Sequence, residues 1–237
     1  MIWQGKHISL WNNAYNCTMN DPMMYKGSHG WHYLYDRLRF LRNRSFLRKA
    51  LMNDHLGDSI VVGERTVEVP LAIDFLDNCI GDGPVLELGC VLPYYIFKSS
   101  KHVVYDLVDS HPANIKKDLR DLVVADFKTN IISISTLEHI SQGDYGIERS
   151  TVTAVDILRR ILENAKQYFI TFPLGYNLGL DKYAMENVEK SVFITRRADN
   201  RNDWIVVGDK NELSEDQKKY GGYCGANTIC VITTYMT

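Results

Sequence analysis

The sequence predicts an α/β fold carried by a mostly parallel sheet. Three observations predict it. Short apolar runs recur at 84–88, 102–106, 131–135 and 168–172. Segments of helical period separate them. The end of the chain changes to β-rich runs with polar turns between them, at 191–195, 204–207 and 228–234. Runs that are apolar at nearly every position suit strands covered on both faces, the environment of a parallel sheet between helices.

Residues 1–68 stand apart from the remainder, 69–237. They are rich in aromatics (Trp3, Trp11, Tyr15, Tyr25, Trp31, Tyr33, Tyr35) and become basic between Arg37 and Lys49. Residues 31–52 read as a helix, because Leu34, Leu38, Leu41 and Leu47 recur near helical spacing with arginines between them. Gly57 and Asp58 end that pattern, which makes the segment an N-terminal helical extension. Residues 69–80 read as a second helix with Pro70 in its first turn. The run 84–88 is a short buried strand closed by Gly89, and 102–106 is another that ends on Asp106. Leu122-Val123-Val124 closes a turn or helix. A strand at 131–135 precedes an amphipathic helix at 151–164, with Val152, Val155, Leu158, Ile161 and Leu162 on one face. The strand 168–172 stops at Pro173, and the β-rich end supplies antiparallel strands at one edge of the sheet.

Composition narrows the function classes. The chain has 237 residues, enough for one domain with an added segment, and a formal net charge of −2, which supplies no basic field for nucleic acid. Its five cysteines are scattered without a C-x-x-C pair, which predicts a reducing, cytoplasmic setting and no disulfide framework. No apolar run approaches the about 20 residues of a membrane span, and no apolar h-region of a signal peptide opens the chain. The seven histidines form no ligand set such as H-x-x-x-H, so no structural metal is expected. A Mg²⁺ or Mn²⁺ ion that helps ionise an acceptor hydroxyl stays open as an alternative.

Ligands of an open parallel sheet bind beyond the carboxyl ends of its strands. The residues there are Glu87, Gly89 and Cys90, then Asp106, then 135–139, then 173–177. Gly89 lets the backbone approach a ligand closely. Asp106 lies 19 residues after Glu87, near the spacing at which an acid on the second strand reaches ribose hydroxyls. Cys90-Val91-Leu92-Pro93 follows Gly89, so the G-x-G-x-x-G of a dinucleotide site is missing, and no G-x-x-x-x-G-K-[ST] is present.

Three strings resemble a known family. Val85-Leu86-Glu87-Leu88-Gly89-Cys90 resembles the first motif of class I S-adenosylmethionine (SAM) dependent methyltransferases, commonly V-L-E-x-G-C-G. Ile132-Ser133-Ile134-Ser135-Thr136-Leu137-Glu138-His139 resembles their fourth-strand motif, which often ends in L-E-H. Phe172-Pro173-Leu174-Gly175-Tyr176-Asn177 with Asp181, then Arg196-Arg197 and Asn202-Asp203-Trp204, is similar to a branch found among glycan-biosynthesis genes. The resemblance spans about 82–235, and Val91 stands where the first motif usually has its second glycine. It implies a Rossmann-like, seven-stranded sheet with an antiparallel last strand, SAM as cofactor, and O-methylation of a sugar hydroxyl. It implies that Glu87 and Gly89 border the methionine moiety, Asp106 binds the ribose, Asp118 or Leu119 flanks the adenine, and Ser135 lines the floor beneath the methyl group.

His139 is a candidate general base, against the alternative of a structural helix start. Asp144 and Tyr145 sit in the loop Gln142-Gly143-Asp144-Tyr145-Gly146, where they contact the acceptor or form an ordinary turn. Asp144 is the second candidate for the catalytic role. Tyr176, Asn177 and Asp181 suit sugar hydroxyls, or else cap the following helix. The arginine-rich stretch is a solvated helix face in preference to a phosphate or carrier site. The early aromatics pack onto the domain or join two copies in a homo-oligomer, in preference to forming a sugar platform. Two competing readings remain: methylation of a nucleic-acid or protein nitrogen, and a non-catalytic Rossmann-like binding module.

Overall fold

A computed structural model describes residues 7–8, 64–79, 83–96, 100–187, 191–196, 204–207, 210–222 and 225–234. The expected helix at 31–52, its basic face and the early aromatics lie outside the described residues, as do Arg197, Asn202 and Asp203.

A large mixed sheet forms the centre. Its strands are β1 (His7–Ile8), β2 (Val85–Leu88), β3 (His102–Tyr105), β4 (Asn114–Ile115), β5 (Asn130–Ile134), β6 (Gln167–Pro173), β7 (Ser191–Arg196), β8 (Trp204–Val207) and β11 (Thr228–Thr233). Their order is β1-β8-β7-β11-β6-β5-β2-β3-β4. A separate short ladder joins β9 (Tyr220–Gly222) and β10 (Gly225–Ala226). The strands β2 to β6 pair in parallel, whereas β11 runs against both β6 and β7. The sheet is therefore mostly parallel in direction, with its last strand reversed as expected. It has nine strands where seven were expected, and a two-residue strand ends it at each edge.

Helices cover both faces. Along each strand successive side chains alternate between two core layers. Ile132, Ile134, Phe169, Ile229 and Val231 face one layer with helix α1 (Arg65–Cys79). Ile131, Ile170, Phe172, Cys230 and Ile232 face the other, against α2 (Ala154–Asn164) and α3 (Leu178–Asn187). Helix α2 starts at a capping box. Thr153 accepts from the Asp156 backbone N–H, and the Asp156 carboxylate accepts from Thr153, which moves the start from the expected 151 to 154.

Helix α1 departs further from expectation. It begins at Arg65, so Pro70 lies inside the helix and not in its first turn, and the boundary drawn at 68/69 cuts through it. An interior proline costs about 3 kcal/mol, because it removes one backbone bond and crowds the preceding turn. Against that, Val67, Val69, Leu71, Ile73, Phe75 and Leu76 are all buried. Each such side chain contributes about 1.5–3 kcal/mol, so burial outweighs the proline. Among the described residues no helix is long and apolar enough to cross a membrane. Cys79, Cys90 and Cys230 are buried free thiols.

Gly175 fixes the connection from β6 to α3. Its φ is +85°, and a Cβ there would lie 2.3 Å from the Tyr220 backbone nitrogen and 2.6 Å from the Lys218 carbonyl oxygen. Neither neighbour is a flexible tip that can swing away. We expect Gly175→Ala to lower the unfolding free energy by about 2 kcal/mol or more, measured by urea denaturation. An unchanged midpoint would refute the close approach of this turn to the β9 segment.

Candidate active site

The chain leaves β2 for β3 and β4 on one side and returns to β5 on the other. Strand order therefore reverses between β2 and β5, which opens a crevice beyond their carboxyl ends. A cavity of about 300 Å³ lies there. Cys90 and Val91 line it after β2, and Asp106, Leu107, Val108 and Asp109 after β3. Asp118, Leu119 and Arg120 add a third wall, and Ser135, Thr136, His139, Ile140, Ser141, Tyr145 and Ile147 a fourth, with Arg65 from the start of α1.

Two acids shape the first walls by accepting backbone hydrogen bonds. Glu87 is fully buried, and its Oε1 accepts from the backbone N–H groups of Val91 and Leu92, both at 2.8 Å. Its Oε2 lies 2.7 Å from His102 Nε2. Asp106 Oδ1 accepts from the backbone of Val108 and Asp109 at 2.7 and 2.8 Å, and its Oδ2 accepts from Cys90 N at 3.2 Å. A carboxylate offers about four acceptor positions, so Oδ2 of Asp106 keeps capacity toward the cavity. Burial, with the charges of Asp109 and Glu87, pushes the Cys90 thiol up, so it stays protonated and is no nucleophile.

The other walls hold an ion pair and a strained loop. Arg120 binds Asp118 through Nε and Nη2 and holds its carboxyl below the usual range. Ser135 (φ 38°), Ser141 (φ 62°) and Tyr145 (φ 54°) are the non-glycine residues with positive φ among the described residues, and all three line the cavity. Such conformations cost of order 1 kcal/mol or more each and concentrate at functional sites. The Ser135 hydroxyl donates to Glu68 Oε1 at 2.6 Å, and Arg65 donates to Glu68 Oε2 at 3.0 Å. That network anchors the cavity floor to α1.

Of the residues expected from sequence, Asp106, Asp118, Leu119, Ser135, His139 and Tyr145 line this one cavity. Glu87 and Gly89 do not. Glu87 turns its carboxylate onto the following loop and His102. Gly89 has φ +90°, and a Cβ there would meet Thr136 Oγ1 at 2.0 Å, so glycine serves the packing of two loops here. Asp144 and Tyr176 stand behind His139. The Asp144 Oδ2 lies 2.9 Å from His139 Nδ1 and accepts from the Tyr176 hydroxyl at 2.9 Å. Asn177 and Asp181 are buried and hold the start of α3. Asn177 accepts from Leu180 N and donates to the Glu138 carbonyl, and Asp181 Oδ2 accepts from Gly175 N at 2.8 Å. Asn177 therefore caps α3, and Asp181 holds the turn that precedes it. Arg65 and Tyr220 were not singled out from the sequence, and Thr136 and Glu138 stood there only as members of the fourth-strand motif. Arg65 and Tyr220 come from distant segments, and no local pattern marks them.

Comparison of the chain with protein-family models, with curated proteins and with solved structures finds no match. Among the described residues no group of three or more His, Cys, Asp or Glu could hold a metal ion.

The placement of Asp181 carries a pH signature. Burial pushes its carboxyl up to about 6, against the pull of the Gly175 N–H. A carboxyl raised in the folded state contributes stability that is full below its unfolded pKa and is lost as pH rises through about 6. We expect wild type to lose roughly 2–3 kcal/mol relative to Asp181→Asn as pH rises from about 4 to about 7. Denaturation curves across that window measure it, and parallel pH dependences for the two proteins would refute the assignment.

Proposed function

We propose that the chain is a SAM-dependent methyltransferase that methylates a sugar hydroxyl in glycan or polysaccharide biosynthesis. One observation carries the reading: an acid-ended second strand presents Asp106 and Asp109 to a cavity at the point where strand order reverses, and the sequence after β2 carries no G-x-G-x-x-G. The reversed last strand β11, which the family resemblance implies, also supports it.

The residues fit that cofactor. The remaining acceptor capacity of Asp106 Oδ2 suits a ribose hydroxyl. Leu119, Ile140 and Ile147 supply apolar lining against which a purine can pack. Asp106 and Asp109 supply negative charge for a cationic ligand, while Asp118 is neutralised by Arg120. When bound, SAM supplies an electrophilic methyl group on a sulfonium. The chain's own task is to orient the acceptor and remove its proton. A sugar hydroxyl is a poor nucleophile, and His139 is the cavity residue suited to accept that proton. Tyr145, 68% exposed, offers a ring face at the cavity mouth for the apolar side of a sugar.

We expect SAM and its demethylated product to bind and to raise the melting temperature by mass action. Asp106→Asn should weaken SAM by about 1.5–3 kcal/mol in calorimetry, because one acceptor becomes a donor. Incubation with SAM and a panel of hexose and deoxysugar acceptors should give products heavier by one CH₂. Absence of both heat and thermal shift at saturating SAM would leave the binding-module reading, and transfer to nitrogen substrates alone would replace the sugar.

A further inference from the structure

His139, Asp144 and Tyr176 come from three places in the chain. His139 ends the 3₁₀ turn Leu137–His139 after β5, Asp144 begins the turn Asp144–Gly146, and Tyr176 follows β6. They nevertheless form one hydrogen-bonded line. A single carboxylate oxygen, Asp144 Oδ2, lies 2.9 Å from His139 Nδ1 and 2.9 Å from the Tyr176 hydroxyl. Two rings pack edge-on against the imidazole, Tyr176 at 4.8 Å and Tyr145 at 5.2 Å between centroids. Tyr220 in turn stands edge-on to Tyr176 at 4.9 Å. The imidazole is thus fixed in tilt by rings and in rotation by a carboxylate.

The chemistry of the line follows from its acceptor. Burial pushes the Asp144 carboxyl up, but its bonds to His139 and Tyr176 outweigh this and hold it below the usual range. The Tyr176 phenol is pushed up by burial and by the same bond, so it stays a donor. An ionised carboxylate only accepts, so the hydrogen between Asp144 and His139 belongs to Nδ1. A neutral imidazole with its hydrogen on Nδ1 has a bare Nε2. The nearest acid to that atom is Glu138, whose Oε1 lies 3.8 Å away, outside hydrogen-bond reach. Glu138 is buried, and burial holds its carboxyl well above the ordinary range, so it does not compete as an anion for a proton on Nε2. Two cations line the same cavity and both guanidiniums are engaged, Arg65 by Glu68 and Arg120 by Asp118.

We propose that Asp144 and Tyr176 are positioning residues that lock neutral His139 in the Nδ1–H form and so leave Nε2 as the proton acceptor for a hydroxyl in the cavity. The tautomer rests on this geometry, and its use rests on the methyltransferase reading above. In the step, the acceptor oxygen bonds to the methyl carbon as the sulfur–methyl bond breaks, and that electron pair stays on sulfur. The hydroxyl proton passes to Nε2. The products are a methyl ether, a neutral thioether and an imidazolium whose charge faces Asp144, and the imidazolium then returns its proton to solvent.

The tautomer is measured without cofactor or acceptor. In the full chain labelled with ¹⁵N-histidine, long-range proton–nitrogen correlations distinguish a bare Nε2 from a bare Nδ1, and His139→Gln assigns the signal. We expect bare Nε2 in the wild type. Asp144→Ala should move His139 toward the Nε2–H form that free histidine prefers, and Tyr176→Phe should keep Nδ1–H. In turnover, Asp144→Ala should lower kcat by about 10²-fold or more with KM little changed, and Tyr176→Phe by less. An Nε2–H imidazole in the wild type overturns the proposal whether or not either variant folds. So does an unchanged tautomer in folded Asp144→Ala, or a normal kcat there once the tautomer has changed. A wild-type chain that transfers no methyl group to any acceptor defeats the methyltransferase reading, and the tautomer measurement still decides the positioning.

Discussion

The carboxyl of Glu87 has no exposure to water, and three groups hold it: the backbone N–H groups of Val91 and Leu92 donate to Oε1, and His102 Nε2 lies 2.7 Å from Oε2. A buried charge without partners costs several kcal/mol, so these partners are a condition of the fold. They come from different elements. His102 opens β3, and Val91 and Leu92 form the loop after β2. One side chain therefore sets the path of the loop and locks it to the neighbouring strand. That path brings Cys90 N within 3.2 Å of Asp106 Oδ2 and joins the ends of β2 and β3 into one wall. The wall after β5 depends on this one through contact, because Gly89 leaves just enough space for the Thr136 side chain.

Much of the sheet was legible because its strands are short, apolar and buried on both faces. The runs that became β2, β3, β5, β6 and β11 sit within a residue or two of their expected limits. Helix α1 was legible only in part. Its apolar residues surround it rather than forming a stripe, so periodicity is faint, and Pro70 mimics a helix start. The ladder at each edge is two residues long and leaves no pattern to read.

The site divided in the same way. Asp106, Ser135 and His139, each placed after a strand, line one cavity, because the parallel sheet sends all those ends to the same side. Position after a strand could not say which way a polar side chain faces. Glu87, Asn177 and Asp181 have the composition of ligand-binding residues, yet each satisfies nearby backbone groups of its own chain. The difference lies in a few ångströms of loop path, and the backbone donors they meet carry no sequence signature. Tyr220 was invisible for another reason. It reaches Tyr176 from a ladder far along the chain, an approach set by the close packing of Gly175 on the 218–220 backbone.

The two-residue strand β4 has a bearing on how copies of this protein behave in a crowded solution. A long, flat, apolar strand at a sheet's margin is a template on which another chain can add its own strand. Here the margin carries apolar side chains that face water, Leu107, Val108 and Ile115, which would make such a template sticky. The ladder stops after Ile115, and Lys116 and Lys117 follow at once. Lys117 is paired with Asp126, Lys116 adds a charge beside it, and the two-residue length leaves a second molecule few backbone groups to pair with. This end of the sheet is thereby guarded against fibre-like growth, although its composition invites it.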